Sequence, residues 1–247
     1  MTSAAGRFRP SFVPALFTGI VVLVCLGLGL WQLERLAWKR ALIAERHAAA
    51  QAAPVSPPRS LAEARALQFH PVVAEGVFLH DKEMHVIAPG PTGGSGYNVL
   101  TPLRTADGRI VFVNRGFVPV ARRDPAKREA GQIAGATRVT GMLRLPGTAK
   151  PSRFTPDHRP ELNYWFWVDL PAMSAAAGLT DVAPFYIEAD ATANPGGWPK
   201  GGVTPVALPN DHLQYAITWF ALAAAALVVY LFWRRQTAGR DEDIPGT

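Results

Sequence analysis

His212 is the residue whose type and position most clearly suggest chemistry in this sequence. It stands in the stretch LPNDHLQYAITWF, at the start of a long apolar segment. Tyr215, Ala216 and Trp219 follow at three, four and seven positions, which in a helix places them on the same face as the imidazole. Two aromatic rings beside a small residue that leaves a recess suit a flat apolar macrocycle, and neutral imidazole is a usual axial ligand of haem iron. The spacing is therefore compatible with a haem site whose metal ligand is His212.

The same residues also suit an ordinary membrane boundary. Tyr and Trp side chains are enriched where a transmembrane helix meets water, and a histidine at that depth is not costly. Spacing alone does not separate a haem ligand from a histidine among lipid head groups.

Other kinds of chemistry find less support. His80 and His85 bracket Met84 and suggest copper, but in a strand these two histidines point to opposite faces, which favours surface histidines. The only cysteine, Cys25, lies inside an apolar segment, which excludes disulfides within the chain and Cys-x-x-Cys sites. An envelope hydrolase would need a nucleophile, but the sequence has neither G-x-S-x-G nor H-E-x-x-H. We therefore predict that the protein is not an enzyme and has no catalytic residues.

Two long apolar segments must position these residues. Residues 11–30 give twenty positions without a charge, and residues 213–233 give twenty-one. At about 1.5 Å of rise per residue, each forms roughly 30 Å of helix, which matches the hydrocarbon core of a bilayer. The first run is too long for a signal peptide, and no A-x-A-like cleavage site follows it. We predict transmembrane helices over residues 11–31 and 211–233.

The flanking charges indicate the orientation. Arg234 and Arg235 directly follow the second span, so the positive-inside rule places residues 1–10 and 234–247 in the cytoplasm. Residues 32–210 then lie outside the cytoplasm. The net charge of +6 is spread along the chain and collects beside the spans, which indicates the lipid bilayer rather than nucleic acid as a partner.

In this topology the outer end of the first helix lies at the same membrane depth as His212. That end carries Trp31, Gln32, Arg35 and Lys39, so cations are available for haem propionates. The candidate site therefore has His212 as metal ligand and cofactor-binding residue, together with Tyr215, Trp219, Trp31 and Arg35.

Residues 32–210 change from a helical pattern to short strands. The first part lacks Gly and Pro up to residue 53 and predicts a helical stalk, which PVSPP ends. Seven strand candidates follow: HPVVAEGVFL, EMHVIAP, YNVLTPLR, RIVFVNRGFV, TRVTGMLRLP, NYWFWVDL and PFYIEAD. Asp107 and Gly108 predict a tight hairpin turn between two of them. The predicted fold has two transmembrane helices flanking a β-rich α+β domain with an antiparallel sheet.

Local signals define the remaining elements. Ser60 followed by Glu63 predicts the start of a short helix, and Asp169 and Gly178 predict the cap and the stop of another. The basic stretch ARRDPAKREAGQIAGA lacks periodicity and predicts a solvated loop. ANPGGWPKGGVTPVALPN is rich in Gly and Pro and predicts an extended return to the membrane.

Eight segments of this sequence, taken in order, resemble the Surfeit locus protein 1 family, the membrane-anchored assembly factors of cytochrome c oxidase. They are LGLWQLERLAWK, EGVFLHDKEM, GYNVLTPLR, VFVNRGFVP, GMLRLPG, YWFWVDLPAM, PFYIEAD and GGWPKGGVTPVALPNDHLQYAITWF. Together they span nearly the whole chain.

The resemblance implies a protein of the bacterial inner membrane that acts in biogenesis of this respiratory-chain oxidase, with its central domain in the periplasm. It further implies that the protein binds haem a through His212 and aids its insertion into subunit I. Subunit I and the haem a synthesis machinery would then be its partners. The alternative is a haem-free membrane scaffold that stabilises oxidase subunits. In that case the Arg115–Gly116 turn contacts the subunits, although a strand bulge at Gly116 and an ordinary salt bridge at Arg115 explain the same residues.

Two positions depart from the family pattern. Asp211 stands where a second asparagine is frequent, and Phe117 stands where Trp is common. A carboxylate beside His212 could raise the basicity of the imidazole or repel propionates, and the sequence leaves both open. No long leader rich in Arg and Ser precedes the first span, which favours a bacterial origin over a mitochondrial precursor.

Overall fold

A computed structural model describes residues 12–91, 93–147, 150–202 and 210–242, with side chains at the C-terminal end described up to Thr237. The chain divides into two compact units, residues 1–44 with 207–247 and residues 45–206. The predicted N-terminal segment 1–10 lies outside the described residues, as do positions 203–209 of the predicted extended return.

Two long apolar helices make up the part of the first unit that the structure describes. Helix α1 covers Phe12–Ala50 and runs on into the second unit, and the last helix, α4, covers His212–Glu242. The unbroken course of α1 confirms that the helical pattern continues to the segment before PVSPP. Only 11% of the most apolar 18-residue window of each helix is buried. By their length and apolar composition, both helices could cross a membrane.

The two helices of this unit approach each other closely at Gly29 of α1. The buried face of α1 carries Cys25, Gly29, Gln32 and Leu36, spaced four, three and four residues apart. A Cβ at Gly29 would overlap the ring of Phe220 on α4. A residue as small as glycine lets two helix backbones approach closely, so that van der Waals contacts stabilise the pair.

The described residues of the second unit form seven strands and two short helices. The strands are β1 Pro71–Phe78, β2 Met84–Pro89, β3 Ser95–Thr105, β4 Ile110–Pro119, β5 Ala136–Arg144, β6 Tyr164–Trp165 and β7 Val182–Ala189. The helices are α2 Leu61–Ala66 and α3 Leu170–Ala177. The β-rich domain is thus confirmed, although NYWFWVDL contributes a strand of only two residues, followed by the start of α3.

The expectation of a simple antiparallel sheet is wrong, because the sheet closes into a barrel. Strands β1, β5, β7, β4 and β3 form a ring, with β2 and β6 as an extension beyond β3. Closure is possible because β3 is long: one of its edges pairs with β2 over residues 95–100 and with β1 over residues 103–105. The β4–β7 and β2–β6 pairs are parallel, and the other pairs are antiparallel.

Strand β4 separates two cores. Val111 and Val113 point into a cluster with Phe185 and other apolar residues of the ring, and Ala64 of α2 joins the same cluster. Phe112, on the opposite face, packs in a second cluster to which α3 contributes. Because both faces of β4 are covered, the strand begins with the continuous apolar run 110–113 instead of alternating apolar with polar residues.

The local turn and cap signals predict their elements correctly. Gly108 has φ +86° in the turn between β3 and β4. Ser60 Oγ accepts the N–H of Glu63 at 3.2 Å, and Asp169 Oδ1 accepts that of Ala172 at 3.1 Å. Gly178 ends α3 with φ +63°.

The basic stretch after β4 is not the solvated loop that we expected. It forms 3₁₀ turns over Val120–Arg122 and Pro125–Gly131. Arg128 within it is only 4% exposed. Long-range packing of charged groups gives this segment its structure, and such packing leaves no periodicity in the sequence.

Candidate functional site

Gln32 and His212 are hydrogen bonded to each other in the helical unit. Gln32 is 9% exposed on the inner face of α1, and His212 is half-buried at the first position of α4. The Nδ1 atom of His212 lies 2.7 Å from Oε1 of Gln32. An amide oxygen only accepts hydrogen bonds, so the Nδ1–H group donates. The hydrogen on Nδ1 leaves the lone pair of the imidazole on Nε2, where a ligand can use it.

Gln32 is the residue of this site that sequence reasoning missed. A histidine that binds a metal nearly always donates its other ring N–H to an oxygen, which fixes both the tautomer and the ring orientation. Gln32 provides this oxygen. One feature of the sequence could have indicated its role: Gln32 is an uncharged polar residue at helical spacing from Gly29 and Leu36, at the membrane depth expected for His212.

The aromatic residues of the candidate site leave apolar surface uncovered. Tyr215 is 56% exposed and Trp31 is 50% exposed, whereas Trp219 is half-buried. Ala216, in contrast, is only 1% exposed. Its small side chain therefore belongs to packing within this unit, and the open recess that its position suggested is not present.

Arg35 provides the positive charge of the candidate site. Its guanidinium carbon lies 4.3 Å from the centre of the Trp38 ring, on the exposed side of α1. Arg35 follows Trp31 by four residues and Gln32 by three, so it lies one helical turn further along the same region of α1. The structure thus describes all five predicted site residues in the helical unit and adds Gln32 to them.

A bulge in β4 explains Gly116. Between Asn98 and Leu100 the register shifts, so that Arg115 and Gly116 together oppose a single residue of β3. Gly116 has φ +114°, and a Cβ there would overlap the carbonyl group of Lys200. The predicted bulge is confirmed, and both the backbone conformation and the close approach require glycine.

An ordinary salt bridge, one of the two explanations considered for Arg115, is not formed among the described residues. Arg115 is 2% exposed and donates from Nη2 to the carbonyl oxygen of Gly131 and, at 2.9 Å, to Oδ1 of Asn194. Its guanidinium carbon lies 4.7 Å from the centre of the Phe78 ring. No carboxylate among the described residues pairs with it. Burial lowers the pKa of Arg115 to about 10, so the side chain is still a cation at neutral pH.

A second buried polar cluster joins β2 to the basic segment. Glu83 forms an ion pair with Arg128, whose Nη1 lies 3.2 Å from Oε2, and Oε1 accepts a hydrogen bond of 2.9 Å from His85 Nε2. Burial raises the pKa of Glu83, but the hydrogen bonds from His85 and Arg128 outweigh it and hold this pKa below its ordinary value. The carboxylate is therefore ionised and paired at neutral pH.

Arg123 and Asn163 complete this cluster. The Arg123 guanidinium lies against the rings of both Tyr97 and Tyr164, at 5.1 and 4.1 Å from their centres, and its Nε lies 3.3 Å from Nδ1 of His85. Asn163 donates to the carbonyl oxygen of Glu83 at 3.0 Å and accepts from the backbone N–H of His85 at 3.2 Å. These contacts hold β2, β6 and the basic segment together.

The histidine pair considered for copper is divided between two environments. His80 lies in a 3₁₀ turn, not in a strand, and its Nε2 lies 3.0 Å from the carbonyl oxygen of Ile133. His85 is 5% exposed and bound to Glu83. The expectation of surface histidines is therefore wrong for His85. Among the described residues, no three His, Cys, Asp or Glu side chains are grouped as a metal site.

Comparison with known proteins identifies a family model and several relatives that match this chain. Residues 19–224 match the model of the SURF1 family. The chain is 38% identical to the SURF1-like protein of Monosiga brevicollis over 234 residues, which cover 89% of this chain and 87% of that protein. It is 37% identical to Surfeit locus protein 1 of Homo sapiens over 236 residues, which cover 89% of this chain and 76% of the relative. The corresponding protein of Mus musculus is 36% identical over 249 residues, 95% of this chain and 79% of its own length.

Proposed function

Because the chain belongs to the SURF1 family, we propose that it is a membrane-anchored assembly factor for cytochrome c oxidase that holds haem a through His212 and aids its insertion into subunit I. Haem a is cargo in this proposal, and the protein is a chaperone for it and not an enzyme. Subunit I and the haem a synthesis machinery are the proposed partners.

The hydrogen bond between Gln32 and His212 is the observation that carries the haem proposal. It directs the Nδ1–H group into the protein and leaves Nε2 with a lone pair that could coordinate iron. An interfacial histidine without a ligand needs no such buried oxygen partner, since lipid head groups and water can satisfy both nitrogens.

The surrounding side chains fit a porphyrin of mixed character. Trp31, Tyr215 and Trp219 offer apolar and aromatic surface for the ring. Arg35 supplies a cation for a propionate, and its present contact is with the exposed Trp38 ring and not with a carboxylate. The two kinds of surface occur within two helical turns of Gln32 or of His212, where a ring coordinated by Nε2 would need them.

A bilayer is the proposed environment of the helical unit. Two long helices with apolar, mostly uncovered surfaces support two membrane spans. Arg234 and Arg235 after the second span support cytoplasmic termini and a periplasmic central domain. In this orientation His212 and the 31–35 segment of α1 lie near the periplasmic boundary.

A haem spectrum of the purified protein tests the proposal. The full chain is produced in bacteria that synthesise haem a, purified in mild detergent, and measured for Soret absorbance and pyridine haemochrome. We expect haem a in the wild-type protein and its loss in His212→Ala. Gln32→Leu should retain less haem than the wild type, because the imidazole loses the bond that orients it. His47→Ala, an exposed histidine on the same helix α1, is the matched control.

Two results would contradict the haem proposal. One is the absence of haem a from the wild-type protein, and the other is an unchanged spectrum in His212→Ala. An unchanged spectrum in Gln32→Leu would remove the orienting role of Gln32 alone.

The alternative function, a haem-free scaffold, rests on the rigid β-rich unit. Buried charged networks and a bulged strand give this unit a fixed surface on which oxidase subunits could be held. It predicts that His212→Ala leaves oxidase assembly intact, whereas changes at Arg115 or Gly116 abolish it. Oxidase activity and subunit content of membranes that carry each variant separate the two functions.

A further inference from the structure

Arg115 borders a small cavity in the β-rich unit. The cavity has a volume of about 270 Å³ and lies between β1, β4, β5 and the segment after β7. Its lining is partly apolar, through Phe78, Val113 and Ile133, and partly polar, through Thr137 and other hydroxyl-bearing residues. The cavity lies wholly within the β-rich unit and shares no residue with the site at His212.

One nitrogen of Arg115 has no partner in the described protein. Both hydrogen bonds of the guanidinium come from Nη2, and Nη1 is buried without a hydrogen-bond partner among the described residues. A buried cation that lacks an anionic partner is costly, and the lowered pKa of Arg115 expresses this cost. A buried polar group without a partner therefore calls for an explanation, and a bound ligand that completes its hydrogen bonds is one.

The charges of the lining fit a single negative charge. The charged residues of the lining are Arg115, Arg138 and Asp190, and Arg115 is the buried cation among them. Arg138 is at the rim, with its side chain 68% exposed and 3.8 Å from Glu75. The Asp190 carboxylate accepts the N–H of Thr192 at 2.9 Å, which holds it in the backbone turn. A dianionic phosphate would meet only one buried cation here.

We propose that this cavity binds a carboxylate carried on a short apolar body, with Arg115 as the residue that recognises it. The unpaired Nη1 of Arg115 can donate a charge-assisted hydrogen bond to one carboxylate oxygen, and the apolar walls match a few methylene groups. Two sources share this chemistry: a free short-chain monocarboxylate, and the acidic side chain of a partner protein.

Isothermal titration of the full chain in mild detergent tests the proposal. The probes are butyrate, inorganic phosphate, and a capped Gly-Glu-Gly peptide with its Gly-Gln-Gly counterpart. We expect butyrate or the Glu peptide to bind and the Gln peptide and phosphate not to bind. Tighter binding of butyrate identifies a small-molecule site, and tighter binding of the Glu peptide identifies a protein-docking site.

Two variants locate the binding. Arg115→Gln should weaken it by about tenfold or more, because the charge-assisted hydrogen bonds are lost. Ala193→Leu adds bulk at an exposed position of the cavity lining and leaves the Arg115 side chain unaltered. Because the larger side chain takes up space in the cavity, this variant should weaken binding to a similar degree. Ala176→Leu makes the same change at an exposed position of α3 and is the matched control.

Ala193→Leu keeps the test decisive if Arg115→Gln fails to fold. Wild-type affinity for the carboxylate probe in Ala193→Leu would overturn the proposal. So would equal binding of phosphate and butyrate, or a wild-type protein that binds none of the probes at millimolar concentration. The haem spectrum of Ala193→Leu should equal that of the wild type, since the cavity shares no residue with the haem proposal.

Discussion

Removing the charge of Glu83 should destabilise the β-rich unit strongly. Glu83 is 8% exposed and Arg128 is 4% exposed, so the ion pair between them is withdrawn from water. Glu83→Gln keeps the size of the side chain but leaves the Arg128 cation buried without its counter-ion. Breaking a buried pair in this way costs about 3–5 kcal/mol of unfolding free energy.

The matched control is an exposed pair in the same unit. Glu75 lies 3.8 Å from Arg138, and both side chains are more than two-thirds exposed. Water screens that pair, so Glu75→Gln should change the unfolding free energy by less than about 0.5 kcal/mol. Urea unfolding of the full chain in detergent, followed by tryptophan fluorescence, measures both variants, because Trp165 is buried in the neighbouring cluster.

The stabilisation that Glu83 contributes should decrease at acidic pH. The pKa of Glu83 in the folded protein lies below its ordinary value of 4.5. The stabilisation by the carboxylate is therefore complete above that ordinary value and is lost as the pH falls through the folded-state pKa. The difference between wild type and Glu83→Gln should shrink in the same acidic range, because protonated Glu83 resembles Gln.

A double variant can refute the reasoning. If the loss in Glu83→Gln comes from an unpaired Arg128, then Glu83→Gln combined with Arg128→Met should recover much of the stability. Equal effects of Glu83→Gln and Glu75→Gln, or a double variant less stable than Glu83→Gln, would show that the buried charge is not the cause.

Three further changes test the packing. Gly116→Ala should lower the unfolding free energy by more than Gly135→Ala in the same urea assay; both glycines have positive φ, but only Gly116 faces a backbone group that a Cβ would overlap. Gly29→Leu should lower the melting temperature in detergent, because a side chain there overlaps Phe220. Gly27→Leu should leave the melting temperature unchanged, because nothing lies within 4 Å of a Cβ built at that position. Equal shifts in the two variants would contradict the helix packing described above. Asp169→Ala removes the N-cap of α3 and should cost about 1 kcal/mol in urea unfolding, so a neutral effect would show that α3 does not need its cap.

Sequence reasoning located most elements of the fold because their signals are local. Gly108 at a hairpin turn and Asp169 before α3 act on their immediate neighbours, so each is readable from a few residues. The apolar runs of α1 and α4 are equally local, since a continuous apolar segment needs no distant partner to be recognised.

The parts that the sequence did not reveal depend on distant pairings. The parallel pairing of β4 with β7 and the closure of β3 on β1 join strands far apart in the chain, and neither leaves a pattern in any one strand. The sequence pattern predicts a solvated charge at Arg128, because its partner Glu83 lies 45 residues away in the chain. Its burial is decided by the fold that brings the two together.

For this protein, the sequence by itself determined the two apolar helices, the strand-rich centre, the family and the choice of His212 as the residue to examine. Each of these depends on composition, on short-range spacing, or on segments that can be read in order. Only the tertiary structure decided that Gln32 orients the His212 imidazole, that Ala216 is buried, and that Arg115 has an unmatched nitrogen beside a cavity. Hydrogen bonds and burial of this kind are made between residues distant in the chain, so they exist only once the chain has folded.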